Sequence, residues 1–216
     1  MLHILPRLYP ILDASFLPAT VASRQERLRS LIEELLAAGV TLLQYRNKLG
    51  DRAEVLADAL VLRSAARAGR CSLMLNDYPG LAVEAGFDGV HVGQLDMAPE
   101  EARGIVGSDR ILGVSTHNQE QLAEANLTSA DYLAVGPVFG TSSKQNPDPV
   151  VGIDGVRRAR ALTKKPLVAI GGITLDNCEA VIDAGADSVA VISSLFADAL
   201  GRPPGKIASD FFAKLR

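Results

Sequence analysis

Short apolar runs alternate with longer amphipathic stretches along the whole chain. Eight runs read as strands: Leu8–Leu12, Thr41–Tyr45, Leu73–Leu75, Gly89–Val92, Ile111–Val114, Tyr132–Val135, Leu167–Ile170 and Ser188–Val191. They are rich in Val, Ile and Leu and mostly lack polar alternation, as parallel strands covered on both faces do. Between them lie helical patterns. Arg24–Ala38 carries Leu28, Leu31, Ile32, Leu35 and Leu36 at helical spacing, and Arg52–Ala68, Glu100–Val106, Gln119–Asn126, Asp154–Leu162, Asp176–Ala184 and Ser194–Leu200 follow. A last helix runs near Lys206–Leu215.

Several helix-to-strand joints share one punctuation. Ala38-Gly39-Val40, Glu84-Ala85-Gly86-Phe87-Asp88 and Asp183-Ala184-Gly185-Ala186-Asp187 each put a glycine where a helix should stop, just ahead of an apolar run. The recurrence points to repeated βα units in one domain spanning residues 1–216. The pattern predicts an α/β fold, a single-domain (β/α)8 barrel, with an open doubly wound sheet as the alternative. The one long irregular stretch, Gly136–Gly152, is rich in Gly, Ser, Pro and Asn and is expected to serve function as a mobile lid.

Composition narrows the picture. Aromatic residues make up only 5% and Trp is absent, so the core must be aliphatic. A net charge of −3 argues against a nucleic-acid or membrane surface, and no apolar stretch approaches transmembrane length. Cys71 and Cys178 stand far apart, outside any metal-spaced cluster, as free thiols of a cytoplasmic protein would. The expected partners are small molecules. Assembly into a homo-oligomer stays open.

The polar residues fall where barrel chemistry sits, at strand C-terminal ends. Strand two ends in Gln44-Tyr45-Arg46-Asn47-Lys48 and strand three in Asn76-Asp77. Strand four leads to Gln94-Leu95-Asp96, strand five to Ser115-Thr116-His117, and strand six to Thr141-Ser142-Ser143-Lys144. Strand seven ends in Gly171-Gly172 and strand eight in Ser193-Ser194. The last two pairs suit a phosphate bound by backbone N–H groups, the arrangement common after the seventh and eighth strands of barrels. Arg46, Lys48 and Lys144 suit a diphosphate, and Asp77 with Asp96 suits Mg²⁺, which takes one or two carboxylates plus phosphate oxygens. Taken singly, Lys48 or Lys144 reads better as a solvated lysine, Asp77 and Asp96 read equally well as turn or cap aspartates ahead of Pro79 and Pro99, and a glycine pair alone is weak evidence. His91, inside Gly-Val-His-Val-Gly, reads as a packed, hydrogen-bonded barrel residue. His117 reads as a helix-start hydrogen bonder one step removed from the substrate.

These phrases, together with Gly136-Pro137-Val138-Phe139, Ala169-Ile170-Gly171-Gly172-Ile173 and Val189-Ala190-Val191-Ile192-Ser193, resemble the thiamine-phosphate synthase family from about Tyr9 to Phe196. The resemblance implies coupling of 4-amino-5-hydroxymethyl-2-methylpyrimidine diphosphate to 4-methyl-5-(2-hydroxyethyl)thiazole phosphate, with release of diphosphate. It places the pyrimidine diphosphate on Gln44, Arg46, Lys48, Asn76 and Lys144, with Tyr45 and Asn47 in the same binding segment, and Ser115 against the pyrimidine. It places Mg²⁺ on Asp77 and Asp96, and the thiazole phosphate on Thr141, Ser143, Gly172, Ile192 and Ser193, with Ser142 between. Lys144, Ser115 and Arg46 are the expected catalytic contributors. The chain departs from the family pattern at Asn47, where an acid is common, and at Leu95, where Glu is common. It departs also at Gly140, which replaces a proline and should loosen the loop, and at Ser142 and Ser143. A thiazole tautomerase and a non-catalytic thiamine-phosphate binder are the alternatives; the retained cations and carboxylates weigh against both.

Overall fold

The computed structural model describes residues 5–66, 71–141, 148–197 and 200–215. Its strands are β1 (Leu8–Asp13), β2 (Leu42–Arg46), β3 (Ser72–Asn76), β4 (Gly89–Val92), β5 (Ile111–Thr116), β6 (Tyr132–Val135), β7 (Leu167–Ile170) and β8 (Ser188–Val191). All pair in parallel in chain order, and β8 pairs with β1, closing the barrel. An open sheet is thereby excluded.

The helices are α1 (Val21–Ala37), α2 (Arg52–Ala66), α3 (Pro79–Glu84), α4 (Pro99–Val106), α5 (Gln119–Asn126), α6 (Gly152–Leu162), α7 (Cys178–Asp183), α8 (Ser193–Phe196) and α9 (Pro204–Lys214). Of the short α3 only the stop at Gly86 was foreseen, not its span. It has six residues, too few to show a helical period, and contains Gly80. Its only sequence marks are Pro79 at the first position and Gly86, at φ +67°, just beyond its end.

Alternation along the strands divides the core in two. One set, including Leu8, Leu12, Leu43, Tyr45, Leu73, Leu75, Val90, Leu133 and Val189, packs against the helices. The other, Tyr9, Ile11, Leu42, Met74, Ile111, Tyr132, Ala134, Val168 and Ala190, fills the barrel interior. Both faces are apolar, so the strands read as continuous hydrophobic runs.

The bottom of the barrel explains the repeated Gly–Asp joints. Asp88 accepts from the Leu73 N–H at 2.8 Å and pairs with Arg63. Asp131 accepts from the Leu112 N–H at 2.7 Å and pairs with Arg103. Asp187 accepts from the Leu167 N–H at 2.8 Å and pairs with Arg160. Each aspartate thus precedes an even-numbered strand, ties down the start of the strand before it, and meets an arginine from a helix. At Gly86-Phe87-Asp88 and Gly185-Ala186-Asp187 helix stop and strand anchor are encoded together in one short phrase, at the face of a barrel that serves stability.

Candidate active site at the barrel mouth

At the other end the strands open on a cavity of about 420 Å³. Gln44, Arg46, Lys48, Asn76, Asp77, Asp96, Ser115, Thr141, Gly172, Ile192 and Ser193 all line it. Residues from seven different strand ends therefore meet in one space. Ser142, Ser143 and Lys144 lie outside the described residues.

Two members of the expected binding segment do not join them. Strand period two sends Gln44 and Arg46 inward and Tyr45 outward. Tyr45 is 1% exposed and donates a 2.5 Å hydrogen bond to Asp58 on α2, which also pairs with Arg24. Asn47 is buried; its carbonyl oxygen accepts from the N–H groups of Leu49 (3.1 Å) and Gly50 (2.7 Å), and its amide donates to Tyr45. The expectation that these two side chains meet a substrate is corrected: they build the turn that carries Lys48. Asn47 serves that turn as an amide, and Leu95 is wholly exposed at the rim.

The charged side of the cavity is tightly cross-linked. Lys48 bonds Asp77 and lies 3.5 Å from Asp96. Burial works against the Lys48 ammonium, but the hydrogen bond and charge of Asp77 and the charge of Asp96 outweigh it and its pKa is raised. Asp77 adopts a left-handed backbone, φ +67°, and donates its N–H to the His91 carbonyl at 2.8 Å, which turns its carboxyl toward Asp96. The two carboxyls are close enough for each to shift the other's pKa. Burial and that neighbour push the Asp77 pKa up, whereas Asp77 and a hydrogen bond from the Gly93 N–H (2.9 Å) hold Asp96 down despite burial. A Cβ on Gly93 would stand 2.8 Å from that Asp96 oxygen, so glycine is what lets the carboxylate fold back.

Arg46 pairs with Asp13 at the end of β1. Asp13 was missed: the first strand was expected to stop at Leu12, one residue short of its polar end. The signal, a polar side chain at a strand C-terminus, was the one used for the other strands.

Opposite lies the glycine-rich side. Gly171 and Gly172 have φ of +103° and +63°. A Cβ on Gly171 would be 2.6 Å from Pro137, and one on Gly172 2.5 Å from the Gly140 carbonyl oxygen. Both glycines therefore admit the loop after β6, whose Val138 and Phe139 N–H groups bond the carbonyls of Ile170 and Gly171, each at 2.9 Å. Ser194 from the next loop donates to the Ile173 carbonyl at 2.5 Å. Three loops are thus stitched together beside Ser193, the first residue of α8.

Beneath the cavity, a chain of side chains crosses the barrel. Gln44 donates to the Tyr9 hydroxyl (3.0 Å); Tyr9 and Tyr132 hydroxyls are 3.1 Å apart; Tyr132 meets His91 Nδ1 (2.9 Å), and His91 Nε2 meets Ser115 Oγ (2.8 Å). His91 is the packed, hydrogen-bonded residue expected, and burial pushes its pKa down to about 4. The tyrosines were not anticipated as polar residues, because each reads as an apolar position within its run. His117 does sit at a helix start, bonding the Gly136 carbonyl at 2.7 Å and Asp148 at 3.4 Å, but it also borders the cavity.

Among the described residues, no group of three or more His, Cys, Asp and Glu side chains is gathered for a metal. The Asp77–Asp96 pair still suits Mg²⁺, which keeps water and ligand oxygens in most of its positions. Two neighbouring carboxyls that follow adjacent strands and share Lys48 are a donor set that a hard cation would suit.

Fold and mouth together place the chain among (β/α)8 barrels with a charged small-molecule pocket at the C-terminal end of the strands. Residues 8–195 match the family model described as thiamine monophosphate synthase. A thiamine-phosphate synthase of Koribacter versatilis is 54% identical over 96% of this chain and 94% of its own length. One from Chloroflexus aurantiacus is 40% identical over 88% and 85%. The solved thiamine phosphate pyrophosphorylase of Pyrococcus furiosus superposes with a TM-score of 0.82 at 31% identity, covering 97% of this chain and 95% of that one. The chain belongs to the thiamine monophosphate synthase family, and is an enzyme of the transferase class. No helix among the described residues is long and apolar enough to cross a membrane.

Proposed function

We propose that the barrel joins 4-amino-5-hydroxymethyl-2-methylpyrimidine diphosphate to 4-methyl-5-(2-hydroxyethyl)thiazole phosphate, giving thiamine monophosphate and diphosphate. The observation that carries this reading is the convergence of Arg46, Lys48, Asp77, Asp96, Ser115, Gly172 and Ser193 on one cavity. Arg46 and Lys48 would grip the diphosphate, Ser115 the pyrimidine ring, and Gly172, Ile192 and Ser193, with Thr141 and Ser143, the thiazole phosphate. Asp77 and Asp96 would hold Mg²⁺, which when bound neutralises charge on the leaving diphosphate.

Charge on the cavity wall does the rest. As the pyrimidine C–O bond breaks, negative charge grows on the diphosphate beside Arg46 and Lys48, with Lys144 proposed as a further cation. The electron-rich aminopyrimidine carries the complementary cation. The thiazole nitrogen, fixed by its phosphate on the opposite wall, attacks the methylene carbon. Holding both partners at reacting distance supplies most of the acceleration, so no protein nucleophile is required. The lid expected of Gly136–Gly152 lies partly outside the described residues; its described ends are tied to each other, the Val151 N–H to the Pro137 carbonyl at 2.8 Å. A cytoplasmic setting suits the buried free thiols Cys71 and Cys178. A thiazole tautomerase would have no task for the lysine–carboxylate cluster.

The test is diphosphate release with both substrates, with and without Mg²⁺. Release that needs both substrates and the metal, and that falls at least about a hundredfold in Asp77→Ala, is expected. Metal-independent turnover, or near-normal activity of Asp77→Ala, would defeat the assignment.

A further inference from the structure

The chain from Gln44 to Ser115 has a direction, and the direction has chemical consequences. Tyr9 is buried deep in the barrel, 1% exposed, and among the described residues its hydroxyl meets Gln44 and Tyr132. The Gln44 amide nitrogen can only donate, so the Tyr9 oxygen is an acceptor at that end. The Tyr9 hydrogen then has one acceptor in reach, the Tyr132 oxygen. That leaves the Tyr132 hydrogen for His91 Nδ1, which must therefore be bare. The neutral imidazole carries its proton on Nε2 and donates it to Ser115 Oγ. The Ser115 hydrogen is left over, at the edge of the cavity. Reversing the order would aim two hydrogens at the Tyr9 oxygen and strand a third, unpaired, in an apolar interior.

The surroundings hold this order in place. The Tyr132 ring stacks on His91, with centroids 5.6 Å apart, and meets Tyr9 edge-on. Gly113 on β5 makes the room: a Cβ there would lie 2.1 Å from Tyr132 Cζ. His91, Gln44 and Ser115 line the cavity, while Tyr9 and Tyr132 lie below it.

We infer that Tyr9, Tyr132 and His91 act as positioning residues that hold the Ser115 hydroxyl as a hydrogen-bond donor to the cavity. They thereby select an aminopyrimidine, whose ring nitrogen beside the amine is a bare acceptor, over the deaminated 4-oxo pyrimidine, which carries N–H there. The selectivity half rests on the reading that Ser115 meets the pyrimidine; the ordering half does not. A donor held rigidly toward a ligand N–H leaves both hydrogens unpaired, and such mismatches discriminate strongly.

Two measurements separate the halves. In substrate-free protein with ¹⁵N-labelled histidine, His91 is expected as the Nε2–H tautomer, with its resonances identified by their loss in His91→Gln. In Tyr132→Phe, which removes the donor to Nδ1, the tautomers should mix. An Nδ1–H tautomer in the unaltered protein overturns the inference whatever the enzyme does. The second measurement is kcat/KM for the aminopyrimidine diphosphate against its 4-oxo analogue, or relative binding by calorimetry should no diphosphate be released. The ratio should be about a hundredfold and fall about tenfold in Tyr132→Phe, with KM for the thiazole phosphate unchanged. Tyr9→Phe, which leaves the Tyr132–His91 contact in place, should show a smaller fall in the same direction and covers the case in which Tyr132→Phe does not fold. A ratio unmoved in a variant whose tautomers have mixed refutes the selectivity claim. Absence of turnover in the unaltered protein, with the tautomer as stated, refutes instead the proposed coupling reaction.

Discussion

Replacing Tyr45 by Phe separates two roles that the sequence alone could not. The phenyl ring keeps the packing of a side chain that is 1% exposed and removes only the hydroxyl. That hydroxyl donates a 2.5 Å bond to Asp58, itself 3% exposed, whose remaining partner is Arg24 at 3.5 Å. A hydrogen bond to a charged group is worth about 1.5–3 kcal/mol net, and the loss should fall in that range because Asp58 is left short of a donor. Burial raises the Asp58 pKa and the Tyr45 hydroxyl opposes that rise, so the variant's Asp58 goes higher still. An acid whose folded pKa exceeds its unfolded value binds more protons when folded, so its penalty is full at neutral pH. The stability deficit should therefore shrink as pH falls into the carboxylate range. Urea unfolding followed by circular dichroism at two pH values reads both quantities. Initial rates with each substrate in turn should give KM values within about twofold of the parent, since the side chain faces the helices. Unchanged stability with a KM for the pyrimidine diphosphate raised tenfold would refute this placement and return Tyr45 to the cavity.

Other outcomes follow from the same structure. His91 is buried neutral with its pKa pushed down to about 4, so the unfolded chain gains a proton first as pH drops from the usual value near 6.5; its contribution to stability should fall by roughly 2 kcal/mol between pH 7 and pH 5, read as the difference between the parent and His91→Asn, because the raised Asp77 pKa works the other way in both. Gly172→Ala forces a side chain into φ +63° and against the Gly140 oxygen; about 2 kcal/mol or more of stability should go, and KM for the thiazole phosphate should rise while that for the pyrimidine diphosphate holds. Equal stability and equal KM would show that the loop packs differently. Asp187→Ala unties the start of β7 from its neighbour and should cost roughly 1–2 kcal/mol, discounted because the carboxylate is 47% exposed; thermal melting reads it, and unchanged kcat should confirm that the barrel bottom takes no part in turnover.

The barrel itself was legible because its signals are local and repeated. Apolar runs separated by amphipathic stretches recur eight times, several after a Gly-stopped helix, and only the pairing of β8 with β1 decides closure against an open sheet. Helix boundaries shifted by a few residues, as α1 shows by starting at Val21, and the span of α3 escaped because six residues with an internal glycine carry no period. The mouth was legible by a positional rule, the C-terminal ends of strands, applied to Gln44, Asn76, Asp96, Ser115 and Gly172. The same rule missed Asp13 only because the first strand was ended one residue early.

What the sequence could not decide is which way each side chain points once a strand ends and a turn begins. Tyr45 and Asn47 sit between cavity residues in the chain, yet the pleat and the Asn47-anchored turn send them into the helix layer. The pairing of Arg46 with Asp13, and the path from Gln44 through two tyrosines to Ser115, join residues up to 123 positions apart. Periodicity reports burial along one strand. Only closure of the sheet brings the inward faces of β1, β2, β4, β5 and β6 within hydrogen-bond distance, and so turns five isolated side chains into one ordered set.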